Sequence, residues 1–149
     1  MNARRILFAT DFSESSDGAA QYAVSLACEA GASLYVVHVV EPPAYGPSDP
    51  GGLIDQNASL LKQMLDEIIP DDVELPHESH TLVGDPATEI VRYADEEHVE
   101  LIVIGTHGRA GPTRVLMGSV AESVMRRSSC PVLTIKQPAN VTAGEPLDC

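Results

Sequence analysis

Residues Leu101 to Ile104 read LIVI, apolar at every position, and Gly105 ends the run. A strand that alternates apolar and polar residues can leave one face in water. An uninterrupted aliphatic run must be covered on both faces, which is the pattern of a strand inside a parallel sheet flanked by helices. Ile6-Leu7-Phe8-Ala9 and Leu34 to Val40 (LYVVHVV) repeat it, and Pro131 introduces a last run, Val132 to Ile135. His77 to Val83 (HESHTLV) is more polar and suits a sheet edge. Aromatic residues make up only 4% of the chain, so the core has to be aliphatic.

Between these runs the apolar residues recur at helical spacing. Ala19, Ala23, Leu26, Ala27 and Ala30 form one stripe, closed by Gly31. Leu60, Leu61, Met64, Leu65, Ile68 and Ile69 mark a helix expected over Leu53 to Ile69 and stopped by Pro70. Asp85-Pro86 supplies an N-cap and a first-turn proline for a third helix carrying Ile90, Val91, Ala94 and Val99. Val120, Ala121, Val124 and Met125 mark the fourth, ending in Arg126-Arg127, a favourable charge at a helix C-terminus.

Five strands alternating with four helices predict a single doubly wound, Rossmann-like α/β domain over residues 1–136 with strand order 3-2-1-4-5. Residues 137–149 lack periodicity and read as a loose tail. Right-handed crossovers place the first strand beside the one at Leu101, and the C-terminal ends of these two strands flank the switch point where open α/β sheets bind ligands. Asp11 then lies opposite Gly105 and Gly108. The stretch Glu41 to Gly52, with four prolines and three glycines, is irregular; a lid and a plain surface excursion fit it equally.

The chain carries 22 acidic against 9 basic side chains, a net charge of −13, which argues against general affinity for nucleic acid or anionic membrane. The N-terminal apolar run is too short for a signal-peptide core and no segment is long enough to span a bilayer, so a cytoplasmic protein is expected. The odd cysteine count argues against a disulfide framework. Cys28 and Cys130 read as buried small hydrophobes and Cys149 as a free thiol. His38 lies within an apolar strand and is assigned no role; His77, His80 and His98 are not spaced as a metal site.

The stretch LIVIGTHGRAGPTRVLMGS, Leu101 to Ser119, reads as a phosphate cradle. Glycines admit a phosphate to backbone N–H groups, and the N-terminus of the helix beginning at Ser119 adds donors and the positive end of its dipole. The Ser119 hydroxyl serves there either as a cap or as a donor to phosphate. Arg109 and Arg114 stand in the same loop, against the acidic trend of the chain. A tight turn with no ligand is the simpler alternative for such glycines. No G-x-x-x-x-G-K-S/T occurs, and the first strand is followed by Thr10-Asp11-Phe12-Ser13 rather than G-x-G-x-x-G, so neither a P-loop nor the dinucleotide fingerprint applies.

Thr10-Asp11-Phe12-Ser13 after the first strand, His38-Val39 in the second and Gly105-x2-Gly108-x9-Gly118-Ser119 after the fourth resemble the ATP-binding branch of the universal stress protein family, over Arg4 to Lys136. The resemblance implies ATP, with Mg²⁺ or Mn²⁺ on its phosphates. Asp11 would accept hydrogen bonds from the ribose hydroxyls, with Ala9 and Thr10 lining the base and sugar pocket and Val39 offering its backbone to the adenine edge. Ile104 and Gly105 would floor the site, and Gly108, Gly118, Ser119 and Val120 would hold the phosphates, with Arg109 as an addition the motif does not require. It also implies a homodimer paired through the last strand, Val132 to Ile135.

The function expected from this is an ATP-binding signalling module in stress response, read by a protein partner that the sequence does not name. Two alternatives stand beside it. A slow ATPase or phosphotransferase lacks a Walker lysine and a placed general base, with His107 the one titratable residue of the loop to consider. A nucleotide-independent dimeric scaffold would leave the glycine motif unexplained. A phospho-accepting receiver domain is set aside, because the third strand ends in Thr81-Leu82-Val83-Gly84 without an aspartate.

The charge imbalance carries a prediction. An acidic, lysine-poor surface fits adaptation to a high-salt cytoplasm, and it fits equally an acidic surface without that meaning. If it is an adaptation, screening the mutual repulsion of the carboxylates raises the thermal unfolding midpoint as potassium chloride goes from millimolar to molar. A midpoint that does not rise rejects it.

Overall fold

The computed structural model describes residues 4–42, 59–106 and 118–136. Along these the chain forms β1 (Arg5–Ala9), α1 (Glu14–Ala30), β2 (Ser33–Val40), a helix α2 over residues 59–66, β3 (His77–Val83), α3 (Pro86–Glu96), β4 (Leu101–Gly105), α4 (Ser119–Arg127) and β5 (Val132–Ile135). The five strands make one parallel sheet in the order β3-β2-β1-β4-β5, the doubly wound arrangement that the alternating pattern predicts.

The layering follows from chain direction. From β1 to β3 the chain steps toward one edge, so right-handed crossovers put α1 and α2 on the same face. It then returns past β1 and steps the other way, which puts α3 and α4 on the opposite face. Alternate residues of each strand serve the two layers. Ile6 and Phe8 pack with Ala19, Ala23, Val24 and Ala27 of α1 and Leu65 of α2. Leu7 and Ala9 pack with Ile90 and Ala94 of α3 and Ala121 and Val124 of α4. Ile6, Leu7 and Phe8 are fully buried, and each such side chain contributes about 1.5–3 kcal/mol through burial. β1 is therefore the axis of the domain.

Helix ends explain where the elements stop. Ser13 caps α1 by accepting from the Ser16 amide, and Gly31 closes it in the left-handed conformation at φ 65°, letting the Ala32 N–H return to the Ala27 carbonyl at 2.9 Å. α2 stops at residue 66, short of the expected Ile69. Pro70 disfavours helical backbone at the residue before it, and the last turn tightens so that Ile68 N–H reaches the Leu65 carbonyl. Leu65 and Ile69 stay buried all the same.

β3 is an edge strand with no fully buried side chain, as its polarity suggested. β5 occupies the other edge. Cys130 is a free, half-buried thiol. Cys28 packs beside the α1 core but is engaged in a disulfide, contrary to the expectation from cysteine count; spacing along a chain says little about which sulfurs meet. The proline-rich stretch over residues 43–52, the N-terminal part of the expected second helix and the tail over 137–149 lie outside the described residues. Among the described residues no helix is long and apolar enough to cross a membrane.

Asp85 yields a test of helix capping. Its carboxylate accepts from the Thr88 amide at 3.0 Å and the Thr88 hydroxyl at 2.8 Å. These bonds, the amide foremost and with Arg127 assisting, hold its pKa below the ordinary 3.8. The pKa is lowered on folding, so the carboxylate's contribution is complete above that ordinary value and is lost as pH falls through the lower folded one. Asp85→Ala is expected to cost about 1 kcal/mol in urea unfolding at neutral pH. Asp85→Asn should keep most of the cap and lose the part that disappears in acid, read by repeating the measurement below pH 4.

Candidate functional site

The site is assembled by strand pairing. β1 lies against β4 with Ala9 opposite Ile104, and against β2 with Ala9 opposite Val37, so the C-terminal ends of the three strands meet along one rim of the sheet, where its strands end. The chain leaves this rim by two anchored turns. Thr10 N–H bonds the Val37 carbonyl at 2.9 Å and Thr106 N–H bonds the Ile135 carbonyl at 3.0 Å. The Thr106 carbonyl in turn accepts from Gly118 N–H, which fastens the start of α4 to the end of β4.

The turn after β1 is held almost entirely by short polar side chains. Asp11 Oδ1 accepts from Ser13 N–H at 2.9 Å, an Asx turn, and from the Ser16 hydroxyl at 2.7 Å. Ser16, 95% buried, also accepts from Asp11 N–H at 3.2 Å. Thr10 Oγ1 accepts from Phe12 N–H at 3.0 Å. Phe12 takes φ 62°, left-handed backbone that a bulky side chain rarely adopts. Asp11 is half-buried and is not the cap of α1; Ser13 is. Its carboxylate is instead tied to both ends of the turn.

Across the rim stands the N-terminus of α4. Its N-cap residue is Gly118, at φ −71° and ψ 162°, and among the described residues no side chain caps the helix. This corrects the expectation that Ser119 could be the cap: Ser119 is the first helical residue and is exposed. By contrast Ser13 caps α1 and Asp85 caps α3. The amides of an N-terminal turn without a cap, together with the helix dipole, suit an anion. The arginines ending α4 are otherwise engaged, Arg126 with Glu122 at 2.6 Å and Arg127 with the Thr88 hydroxyl at 3.1 Å.

The structure thus brings Ala9, Thr10, Asp11, Ile104, Gly105, Gly118 and Ser119 to one rim of the sheet. Val120 and Val39 pack half-buried on the α3–α4 layer, with Val39 in β2 paired to Leu82. Gly108, Arg109, His107 and Arg114 lie outside the described residues. Sequence reasoning did not single out Ser16, and it named His38 within the His38-Val39 pair but gave it no role. His38 Nδ1 lies 2.9 Å from the Thr10 carbonyl and its ring packs, tilted, against Phe12. Among the described residues no three His, Cys, Asp or Glu side chains gather as a metal site.

Comparison with known proteins places the chain and its fold among known relatives. Residues 2–136 match the universal stress protein family. Universal stress protein MJ0531 of Methanocaldococcus jannaschii is 36% identical over 141 residues, covering 91% of this chain and 83% of that one. The solved structure of MJ0577, from the same organism, superposes with a TM-score of 0.83 at 27% identity, over 94% of this chain and all of the other. A universal stress protein from Archaeoglobus fulgidus solved in complex with dAMP gives a TM-score of 0.63 at 28% identity, covering 91% of this chain and 100% of that one. Another solved with cAMP gives 0.70 at 25%, covering 91% and 98%.

Proposed function

The chain belongs to the universal stress protein family, and from that premise we propose that it is a cytoplasmic ATP-binding module whose loaded state is read by a protein partner in stress signalling. The observation that carries this reading is the β1–β4 pairing, which sets the Asp11 turn and the glycine-capped N-terminus of α4 at the same C-terminal end of the sheet. A rim with a fixed carboxylate on one side and amide donors on the other matches the two ends of a nucleotide, ribose and phosphate. Relatives of the same fold solved with dAMP and cAMP support adenine as the base.

In this reading Asp11 accepts from the ribose hydroxyls, while Ala9 and Thr10 line the sugar and base and Val39 meets the adenine edge through its backbone. Ile104 and Gly105 floor the pocket. Gly108, Gly118, Ser119 and Val120 hold the phosphates through amides and the serine hydroxyl, and Arg109 adds positive charge. A divalent Mg²⁺ or Mn²⁺ rides on the phosphates rather than on a protein ligand cluster. The binding unit is residues 1–136, with 137–149 a tail outside it. The role is binding rather than turnover, a reading supported by the lack of a Walker lysine in the sequence.

Calorimetric titration of nucleotide-stripped protein with Mg²⁺ in molar potassium chloride tests the site. ATP is expected to bind with a micromolar dissociation constant and GTP far more weakly. Asp11→Ala should weaken ATP by about 1.5–3 kcal/mol, roughly ten- to a hundredfold, the range for hydrogen bonds to a charged group. Gly118→Leu should abolish binding. ATP affinity that survives Gly118→Leu rejects the phosphate site.

The second element of the proposal is the dimer. β5 pairs only with β4 among the described strands and leaves its outer edge to another chain, so a second copy is expected to pair there antiparallel through Val132 to Ile135. Light scattering should give twice the chain mass. A monomer mass across the micromolar range excludes this partner.

A further inference from the structure

One peptide unit in the site is held from both sides. The carbonyl of Thr10 and the amide of Asp11 belong to the same planar group. The amide donates to the buried Ser16 hydroxyl of α1 at 3.2 Å, and the carbonyl faces His38 Nδ1 of β2 at 2.9 Å. A carbonyl oxygen only accepts, so Nδ1 must carry the hydrogen. His38 thereby donates from the neighbouring strand, whose Val37 carbonyl already accepts from Thr10 N–H.

The same imidazole supports the next residue. Its ring centroid lies 4.7 Å from that of Phe12, at an interplanar angle of 49°. Phe12 sits in left-handed backbone at φ 62°. A bulky residue persists there only where its surroundings over-determine it, and such outliers gather at functional turns. Here the restraints are the Thr10 hydroxyl on the Phe12 amide, the Asp11 carboxylate on the Ser13 amide, and the His38 ring against the Phe12 ring. By the two-residue alternation of β2, His38 shares a face with Leu34 and Val36, which pack in the α1–α2 layer, as does Phe12.

We propose that His38 is a positioning residue of the nucleotide site: its Nδ1–H clasps the Thr10 carbonyl and its ring braces Phe12, holding the strained turn that aims Asp11 at the ribose. The proposal rests on the nucleotide reading above and assigns His38 no contact with the ligand. Its effect is preorganisation. With the clasp in place the Thr10–Asp11 peptide does not have to be ordered when ATP arrives, so the ordering cost is met on folding. Nδ1 carries a hydrogen both in the neutral Nδ1–H tautomer and in the imidazolium, so the clasp holds in either state.

Two measurements test it. The first is ¹⁵N NMR of the imidazole rings in the ligand-free wild-type protein, with His38 assigned by its loss in a variant; a neutral His38 ring should be the Nδ1–H tautomer, and an Nε2–H ring overturns the proposal. The second is ATP titration of His38→Leu and His38→Asn. Leucine fills the space but cannot donate, and is expected to weaken ATP by at least roughly tenfold. The Asn amide places an N–H near the position of Nδ1 and should restore most of the affinity. Unchanged affinity in His38→Leu, or a loss that His38→Asn does not repair, overturns the proposal. Should the leucine variant not fold, the asparagine variant and the tautomer decide. Failure of the wild-type protein to bind ATP is distinct from these outcomes: it removes the nucleotide reading, and with it the role of the clasp in binding, while the tautomer still reports whether the clasp forms.

Discussion

Everything at the candidate site depends on β1 lying between β2 and β4. The strand is short and buried on both faces, and its C-terminal end lies at the same end of the sheet as those of both neighbours, one of which, β4, leads to the other turn of the site. Pairing Ala9 with Val37 on one side and with Ile104 on the other fixes those ends to within a residue. A slip of one residue would exchange the α1–α2 layer for the α3–α4 layer at every side chain of β1, so core packing enforces the register that the site requires. Fold stability and site geometry are here the same constraint.

Within that frame the two halves of the site are built by opposite means. The Asp11 turn is dense with side-chain hydrogen bonds, because Thr10, Asp11, Ser13 and Ser16 supply hydroxyls and a carboxylate where α1 begins. Each satisfies a backbone amide that a turn would otherwise leave without a partner. The N-terminus of α4 has the reverse character, with glycine as its cap residue and no side chain of the described residues capping its amides. One half is rigid and carries an acceptor; the other presents donors. The nucleotide proposed above would join the two, with hydroxyls to donate at one end and phosphate oxygens to accept at the other.

Most of the fold was legible before any coordinates because its signals are local and redundant. The LIVI run requires cover on both faces, the Asp85-Pro86 pair and Gly31 mark helix ends, and HESHTLV announces an edge by its polarity. The failures were also local in origin. Ile69 keeps the helical apolar stripe and is buried, but Pro70 controls its backbone, so periodicity overran the end of α2. Ser119 has the chemistry of a cap one position too late, since Gly118 already takes the extended backbone of the N-cap. Cys28 fits an apolar stripe and a disulfide equally well, and residue type does not choose between them.

By itself the sequence determined the class of the fold, the order of its elements and the residue types offered to a ligand, because hydrophobic periodicity and turn chemistry act over a few positions. Only the tertiary structure decided which of those residues meet. Thr10 and His38 are 28 positions apart and are joined because β1 and β2 pair in one register. Gly118 reaches the end of β4 through the Thr106 carbonyl. Such contacts are set by strand register and the handedness of crossovers, which belong to the packed chain as a whole and leave no mark on the residues that they bring together.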